Sequence, residues 1–102
     1  GKLLFYLDCD HGTLVELAYL PAPGRYSACA YIDAQASRAD RLAYARSIAA
    51  QLDEWRQEQG IPFDKSTLPA HPADSDNGEF DTVEEALGYL YTCLHCPDSV
   101  LC

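Results

Sequence analysis

The chain has 102 residues, with 16 acidic side chains against 7 basic ones and a formal net charge of −9. This length gives room for a single domain spanning residues 1–102. Nine of the acids lie from Glu58 onward, where Lys65 is the one base, so the charge belongs to the second half of the chain. A field of that sign disfavours direct binding of nucleic acid or acidic membranes and favours a basic partner.

Apolar runs in the sequence are too short for a membrane-spanning helix, which needs about 20 residues. The longest run, residues 3–7, ends at Asp8 and has the length of a strand. Gly1 and Lys2 lead directly into that run, so we expect no secretory signal; the alternative is a processed precursor, since Gly1 stands in place of Met. The five cysteines are odd in number and too sparse for a disulfide scaffold, which predicts reduced thiols and a cytoplasmic protein.

Three strands are predicted in the first third of the chain, at residues 2–8, 13–20 and 25–32. Turn signals separate them, and connections this short join antiparallel neighbours. The pattern therefore predicts a three-stranded antiparallel meander. A short fourth strand is considered at residues 61–63, within an irregular stretch that is long for a loop.

Two helices are predicted after the strands. Ser37 and Asp40 resemble a capping box, and the apolar spacing that follows indicates a helix over about residues 37–59, stopped by Gly60. The second helix starts at Thr82 or, in an alternative frame, at Asp81, and Pro97 ends it. Its apolar stripe consists of Val83, Ala86, Leu87, Leu90, Tyr91 and Leu94.

The predicted fold class is α+β. The predicted sheet is a small antiparallel meander of three strands, or of four if residues 61–63 form a strand. It has two faces, and each of the two helices has one apolar stripe to bury. Packing both helices on one face of the sheet is the economical solution.

Residues 7–14 (Leu-Asp-Cys-Asp-His-Gly-Thr-Leu) end the first strand with an Asp-x-Asp pair. This octapeptide resembles the first motif of the haloacid-dehalogenase-like phosphatases. The resemblance implies a nucleophile at Asp8, a general acid at Asp10, a magnesium ion and a parallel sheet. It departs from the family pattern at His11, which stands between the second Asp and Gly12. The alternative interpretation is turn chemistry between two strands.

The acidic segment 74–85 has a partial calcium-loop pattern, with Asp74, Asp76 and Glu85 at positions 1, 3 and 12. Gly78 falls at position 5 and Glu79 at position 6, so the glycine comes one residue early for that loop. The other interpretation is a polar loop before a capped helix, because acids at a helix N-terminus interact favourably with its dipole.

The cysteines near the end of the chain have a spacing that occurs in metal sites. Cys93 and Cys96 form a Cys-x-x-Cys pair, and Cys102 follows, which could be half of a zinc site. A redox role would place the pair at a helix N-terminus, whereas here it lies at a C-terminus. The alternative is a buried Cys93, with Cys96 and Cys102 near the helix end.

Four of the seven tyrosines lie in the predicted strands, and some of them must face away from the helices. Tyrosine is enriched at protein interfaces. A homodimer sealed by the tyrosine-bearing face of the sheet is therefore compatible with each function considered below.

We expect a small acidic interaction protein rather than an enzyme, with no catalytic residue, cofactor or metal. Its partner would be a protein with a basic, nucleic-acid-binding surface, whose Lys and Arg pair with carboxylates. Small acidic inhibitors from phages and mobile elements, including anti-CRISPR proteins and nucleic-acid mimics, act in this way, and the analogy rests on size and charge. The predicted partner-binding residues are Asp74, Asp76, Glu79, Asp81, Glu84 and Glu85.

A metal-dependent protein is the alternative function. It would use either the phosphatase-like site at Asp8 and Asp10 or a metal site at Cys93, Cys96 and Cys102. In the first case Asp8→Asn would abolish turnover, because an amide cannot act as the nucleophile. In the second case metal analysis of the purified protein would detect the bound ion.

Overall fold

A computed structural model describes residues 2–9, 12–22, 24–33, 35–68 and 78–95, without the side chains of Cys9 and Thr67. Within these residues a four-stranded antiparallel sheet and two α-helices form an α+β fold, which confirms the predicted class. Neither helix is both long enough and apolar enough to cross a membrane.

The sheet is a meander in which neighbours in the chain are neighbours in space, in the order β1-β2-β3-β4. The first three strands are β1 (Lys2–Cys9), β2 (Thr13–Leu20) and β3 (Arg25–Tyr31), each within one residue of the prediction. Gly12 and Gly24 lie in the two connections with φ angles of 85° and 84°. Glycine adopts such angles without steric cost, so these positions allow the tight reversals.

The fourth strand, β4, is Glu79–Phe80, and it pairs with Tyr26 and Ser27 of β3. The strand considered at residues 61–63 is wrong, since those residues have no strand structure. Pro62 has no N–H group for the hydrogen bonds between strands, which disfavours a strand there. The 3₁₀-helix Lys65–Thr67 follows instead.

Helix α1 is Arg38–Glu58, in agreement with the predicted helix over residues 37–59. Ser37 is its N-cap, and its hydroxyl accepts a hydrogen bond from the Asp40 amide at 3.1 Å. A cap of this kind satisfies one of the amide groups that the first turn leaves unbonded. At the other end Gly60 has a φ of 70°, which turns the chain out of the helix.

Helix α2 is Val83–His95. The Thr82 hydroxyl accepts from the Glu85 amide at 3.2 Å, and it lies 3.2 Å from the Glu85 carboxylate, to which it donates. Thr82 is therefore the cap, and the alternative start at Asp81 is wrong. The predicted stop at Pro97 lies outside the described residues.

Both helices cover the same face of the sheet, as predicted. Phe5 of β1 lies edge-on to Trp55 of α1, with ring centroids 5.9 Å apart. Each large apolar side chain buried in such a core stabilises the fold by roughly 1.5–3 kcal/mol. The fully buried apolar side chains from both layers include Val15, Leu17, Ala30, Ile48, Leu52, Leu87 and Leu90.

Candidate interaction surface

Four of the six predicted partner-binding residues lie where β4 leads into α2. Asp81, Glu84 and Glu85 are exposed there, and Glu79 is half-buried. We call these four residues the acidic patch. The remaining two, Asp74 and Asp76, lie outside the described residues.

Three members of the acidic patch also have local structural roles. The Arg25 guanidinium of β3 donates to the Asp81 carboxylate at 3.1 Å and to the Glu79 carbonyl oxygen at 3.3 Å. Glu85 is engaged by the cap residue Thr82. The Asp81 side chain is nevertheless 78% exposed, and exposed ion pairs contribute at most about 1 kcal/mol. The patch therefore keeps carboxylates available to solvent.

The calcium-loop interpretation gains no support from the residues that the structure describes. Gly78 has a φ of 74° and its carbonyl oxygen accepts from the Ala28 amide at 2.9 Å, so this glycine forms the turn that leads into β4. Glu85, the expected bidentate ligand, serves the helix cap. No group of three or more His, Cys, Asp or Glu side chains suited to a metal ion occurs within the described ranges.

The phosphatase-like motif lies at the end of β1. Asp8 is exposed there, and its carboxylate accepts a hydrogen bond from the Tyr6 hydroxyl at 3.3 Å. Asp10 and His11 lie outside the described residues. The strand that follows pairs antiparallel with β1, whereas the family builds its site on a parallel sheet. The geometry therefore supports the turn interpretation of this segment.

Among the described cysteines, Cys29 differs from expectation. Cys29 is disulfide-bonded, so the prediction of reduced thiols is wrong for that residue. Cys93 is a free thiol with 1% exposure. Burial, followed by the adjacent Cys93 thiol, raises the pKa of Tyr89. Cys96 and Cys102 lie outside the described residues, and Cys93 is buried as its non-metal interpretation predicts.

The face of the sheet turned away from the helices, which we call the outer face, carries tyrosines, carboxylates and the disulfide-bonded Cys29. The strand register pairs Tyr6 with Glu16 and Leu14 with Tyr31, and paired residues of antiparallel strands share a face. The exposed large hydrophobic residues of the described part of the chain all lie there: Leu3 at 56%, Tyr6 at 50% and Tyr31 at 39%.

The strand tyrosines are thus divided between the two faces, as the sequence predicts. Tyr19 and Tyr26 contact each other with centroids 5.1 Å apart, and Tyr26 packs against the core. On the outer face the charge of Asp8, then partial desolvation, the hydrogen bond to Asp8 and the charge of Glu16 together raise the pKa of Tyr6.

A polar cluster between the helices was not predicted. It consists of Asp53, Arg56, Lys65 and Tyr91, and we call it the Tyr91 cluster. Tyr91 has no exposed surface, and its hydroxyl donates to the Asp53 carboxylate at 2.5 Å. Lys65 donates to the other oxygen of that carboxylate at 2.9 Å. Arg56 donates to the Tyr91 hydroxyl at 3.2 Å and to the carbonyl oxygen of Ile61 at 2.9 Å.

The pKa values in this cluster follow from its geometry. Burial raises the pKa of Asp53, but hydrogen bonds from Tyr91 and Lys65 and the charges of Lys65 and Arg56 outweigh it, so the pKa is below its ordinary value. Burial and the bond to Asp53 raise the pKa of Tyr91 to about 12, against a smaller opposite effect of Arg56. The neutral Tyr91 hydroxyl and the ionised Asp53 carboxylate therefore have their hydrogen bonds satisfied within the cluster. Such a network stabilises a fold, so we interpret the cluster as structural.

Comparisons of the chain with protein-family models, with curated proteins and with solved structures find no match. The surfaces themselves are therefore the basis for any functional proposal.

Proposed function

We propose that the protein is a small acidic interaction protein whose acidic patch binds a basic surface of another protein. The observation that supports this is the set of exposed carboxylates at the β4–α2 corner, Asp81 being 78% exposed while paired to Arg25. Lys and Arg side chains that hold phosphates elsewhere would pair with these carboxylates. The proposed mode is inhibition by nucleic-acid mimicry, as in acidic inhibitors from phages and mobile elements.

The corner is suited to binding because its backbone is held in place. The Thr82 cap fixes the first turn of α2, and Phe80 of β4 is buried against Tyr89, with ring centroids 5.3 Å apart. Carboxylates on an ordered scaffold lose less conformational freedom on binding than the same residues in a flexible tail. The net charge of −9 adds long-range attraction, which accelerates encounter with a basic partner at low salt.

A cytoplasmic location belongs to this proposal, and the disulfide at Cys29 weighs against it, because disulfides persist mainly in oxidising compartments. The thiol state inside host cells can be measured by alkylating the free thiols before lysis and taking the masses of the digested peptides. A Cys29 that is fully alkylated supports the location, and a protected Cys29 contradicts it.

The test of the proposed function is charge reversal with a matched control. Tagged protein captures its partner from host lysate, and binding of the purified partner is then measured across a series of salt concentrations. Asp81→Lys with Glu84→Lys should weaken binding by roughly tenfold or more and flatten its salt dependence. Glu54→Lys with Glu58→Lys makes the same change in net charge on exposed positions of α1.

The two double variants separate local contact from net charge. If the α1 variant loses as much affinity as the patch variant, the patch is not the binding site. If neither variant changes affinity or its salt dependence, the proposed function is wrong.

A further inference from the structure

We propose that Arg25 is a positioning residue of the acidic patch, which holds the β4–α2 corner and the Asp81 carboxylate in the arrangement that a basic partner binds. This inference rests on the proposed function, since it assigns a role within the same surface. It makes a prediction that net charge alone does not make. Removal of this positive charge should weaken the binding of a positively charged partner.

Strand β4 supplies the corner with few backbone hydrogen bonds. Its two residues pair with two residues of β3, and the Ala28 amide donates to the Gly78 carbonyl oxygen at 2.9 Å. Strands usually have at least three residues and a correspondingly longer set of such bonds. The position of β4 therefore depends on side-chain contacts as well. Burial of Phe80 is one of them, and Arg25 supplies others.

Arg25 joins the two residues on either side of Phe80. Its Nε donates to the Asp81 Oδ1 at 3.1 Å, and its Nη2 donates to the Glu79 carbonyl oxygen at 3.3 Å. The guanidinium group is planar and its donors have a fixed arrangement, so one rigid group makes both contacts. The contacts couple the backbone before Phe80 to the position of the carboxylate after it.

The two members of this ion pair differ in exposure. The side chain of Arg25 is 23% exposed, whereas that of Asp81 is 78% exposed. The arginine is thus the more sheltered member, and the carboxylate that it holds faces solvent. Because each carboxylate oxygen can accept more than one hydrogen bond, the bond to Oδ1 leaves acceptor sites for a donor of the partner.

A carboxylate that is already held in place binds with a smaller loss of conformational freedom. Binding groups keep a productive geometry when supporting hydrogen bonds fix their rotamers, and Arg25 donates such a bond to Asp81. The proposed role of Arg25 is therefore to reduce the entropy that the acidic patch loses when a partner docks.

Arg25 also has an opposite effect, because its positive charge repels a basic partner. Interactions between charges near solvent are weak, and salt screens them further. The short hydrogen bonds that position Asp81 are less sensitive to salt. At physiological salt we therefore expect the loss of positioning to outweigh the relief of repulsion. The sign of the change in affinity decides between the two effects.

The experiment measures the binding of a short oligo-arginine peptide to isotope-labelled full-length protein at physiological salt. Backbone amide shifts locate the contact and give the dissociation constant. Arg25→Gln should weaken binding at the corner by roughly threefold to tenfold. Arg46→Gln is the matched control, since it makes the same change in net charge at an exposed position of α1 and should not weaken binding.

Two further variants test whether Arg25 acts through its geometry. Arg25→Lys keeps the charge but lacks the rigid fork, so it should bind the peptide less tightly than the wild type. Asp81→Asn keeps the shape of the side chain and removes its charge. In that background Arg25→Gln should have little additional effect, because both changes break the same contact.

A general loss of stability is separated from the proposed role by measuring denaturant unfolding of each variant. Affinities are compared under conditions in which every variant is folded, so a purely structural role of Arg25 leaves the dissociation constant unchanged. If Arg25→Gln does not fold, Arg25→Lys provides the comparison.

The outcomes separate this inference from the proposed function. An affinity that is unchanged or higher in Arg25→Gln overturns the inference, and so do additive effects of Arg25→Gln and Asp81→Asn. If Asp81→Asn weakens binding and Arg25→Gln does not, the acidic patch remains the binding site without a role for Arg25. If neither variant changes binding, the proposed function fails together with the inference.

Discussion

Two regions of the molecule, the Tyr91 cluster and the acidic patch, each contain an aspartate carboxylate but place it in different surroundings. In the cluster the Asp53 carboxylate accepts from Tyr91 and Lys65 and has Arg56 within 3.7 Å. In the patch Asp81 has a partner in Arg25 but remains 78% exposed. The first arrangement joins α1, α2 and the segment after α1, and the second leaves its charge facing solvent.

The comparison shows that net charge alone does not identify a binding surface. A carboxylate that is surrounded by donors is satisfied within the fold, and it contributes little to the field outside. Carboxylates at an exposed helix start stabilise that helix only slightly and remain free to meet a partner. Mutations should therefore divide into those that change stability and those that change binding.

The largest effect is expected from Tyr91→Phe. It removes one hydroxyl from the buried cluster and leaves Asp53 and Arg56 without that partner, which should lower the free energy of unfolding by about 1–3 kcal/mol. Denaturant unfolding measures the change. Tyr6→Phe is the matched control, because it removes a hydroxyl bonded to an exposed aspartate and should change stability by less than about 0.5 kcal/mol. If both variants lower the free energy of unfolding equally, the Tyr91 cluster contributes no more to stability than an exposed hydrogen bond.

The same cluster predicts a pH dependence. Because the pKa of Tyr91 is raised to about 12 in the folded protein, and an unfolded tyrosine has a pKa of about 10, its contribution is complete below about pH 10. That contribution is lost as the pH rises from 10 toward 12. The stability difference between the wild type and Tyr91→Phe should therefore shrink across this range, and parallel curves would contradict the assignment.

A smaller effect is expected from Thr82→Ala at the start of α2. Loss of the hydroxyl that accepts from the Glu85 amide should cost about 1 kcal/mol of stability. Thr82→Ser keeps the hydroxyl and should restore most of the loss. If alanine and serine behave alike, Thr82 is not the cap that orders the acidic patch.

The smallest effect is expected from Glu84→Gln. Its charge interacts with the dipole of α2, so the variant should lose about 0.3 kcal/mol at low salt and nothing measurable at high salt. Thermal unfolding at two salt concentrations tests this. If Glu84→Gln lowers the free energy of unfolding as much as Tyr91→Phe does, Glu84 has a structural role and is not available to bind a partner.

The strands and helices were predictable because their signals are local. Gly12 and Gly24 mark the reversals between strands, and Ser37 and Thr82 mark the helix starts. Strand β4 was missed because two residues are too few to show an alternating pattern. It exists because Phe80 is buried opposite Tyr26, a contact between distant parts of the chain.

The candidate site was predictable only in part. The run of acids around Asp81 and Glu84 is visible in the sequence, but the exposure of each is a property of the fold. The Tyr91 cluster depends on Asp53 and Tyr91, which lie 38 positions apart and share no motif. One signal was present, since Arg56 follows Asp53 by three positions, the spacing at which opposite charges meet on a helix.

Strand β1 forms an outer edge of the sheet, with a bulge between Leu3 and Phe5. An uncovered edge offers free amide and carbonyl groups to any other extended chain, and so it can seed aggregation. A bulge interrupts the regular spacing of those groups, and the charges of Lys2 and Asp8 near the two ends oppose an incoming strand. This irregularity in β1 therefore protects an apolar strand from self-assembly at high concentration.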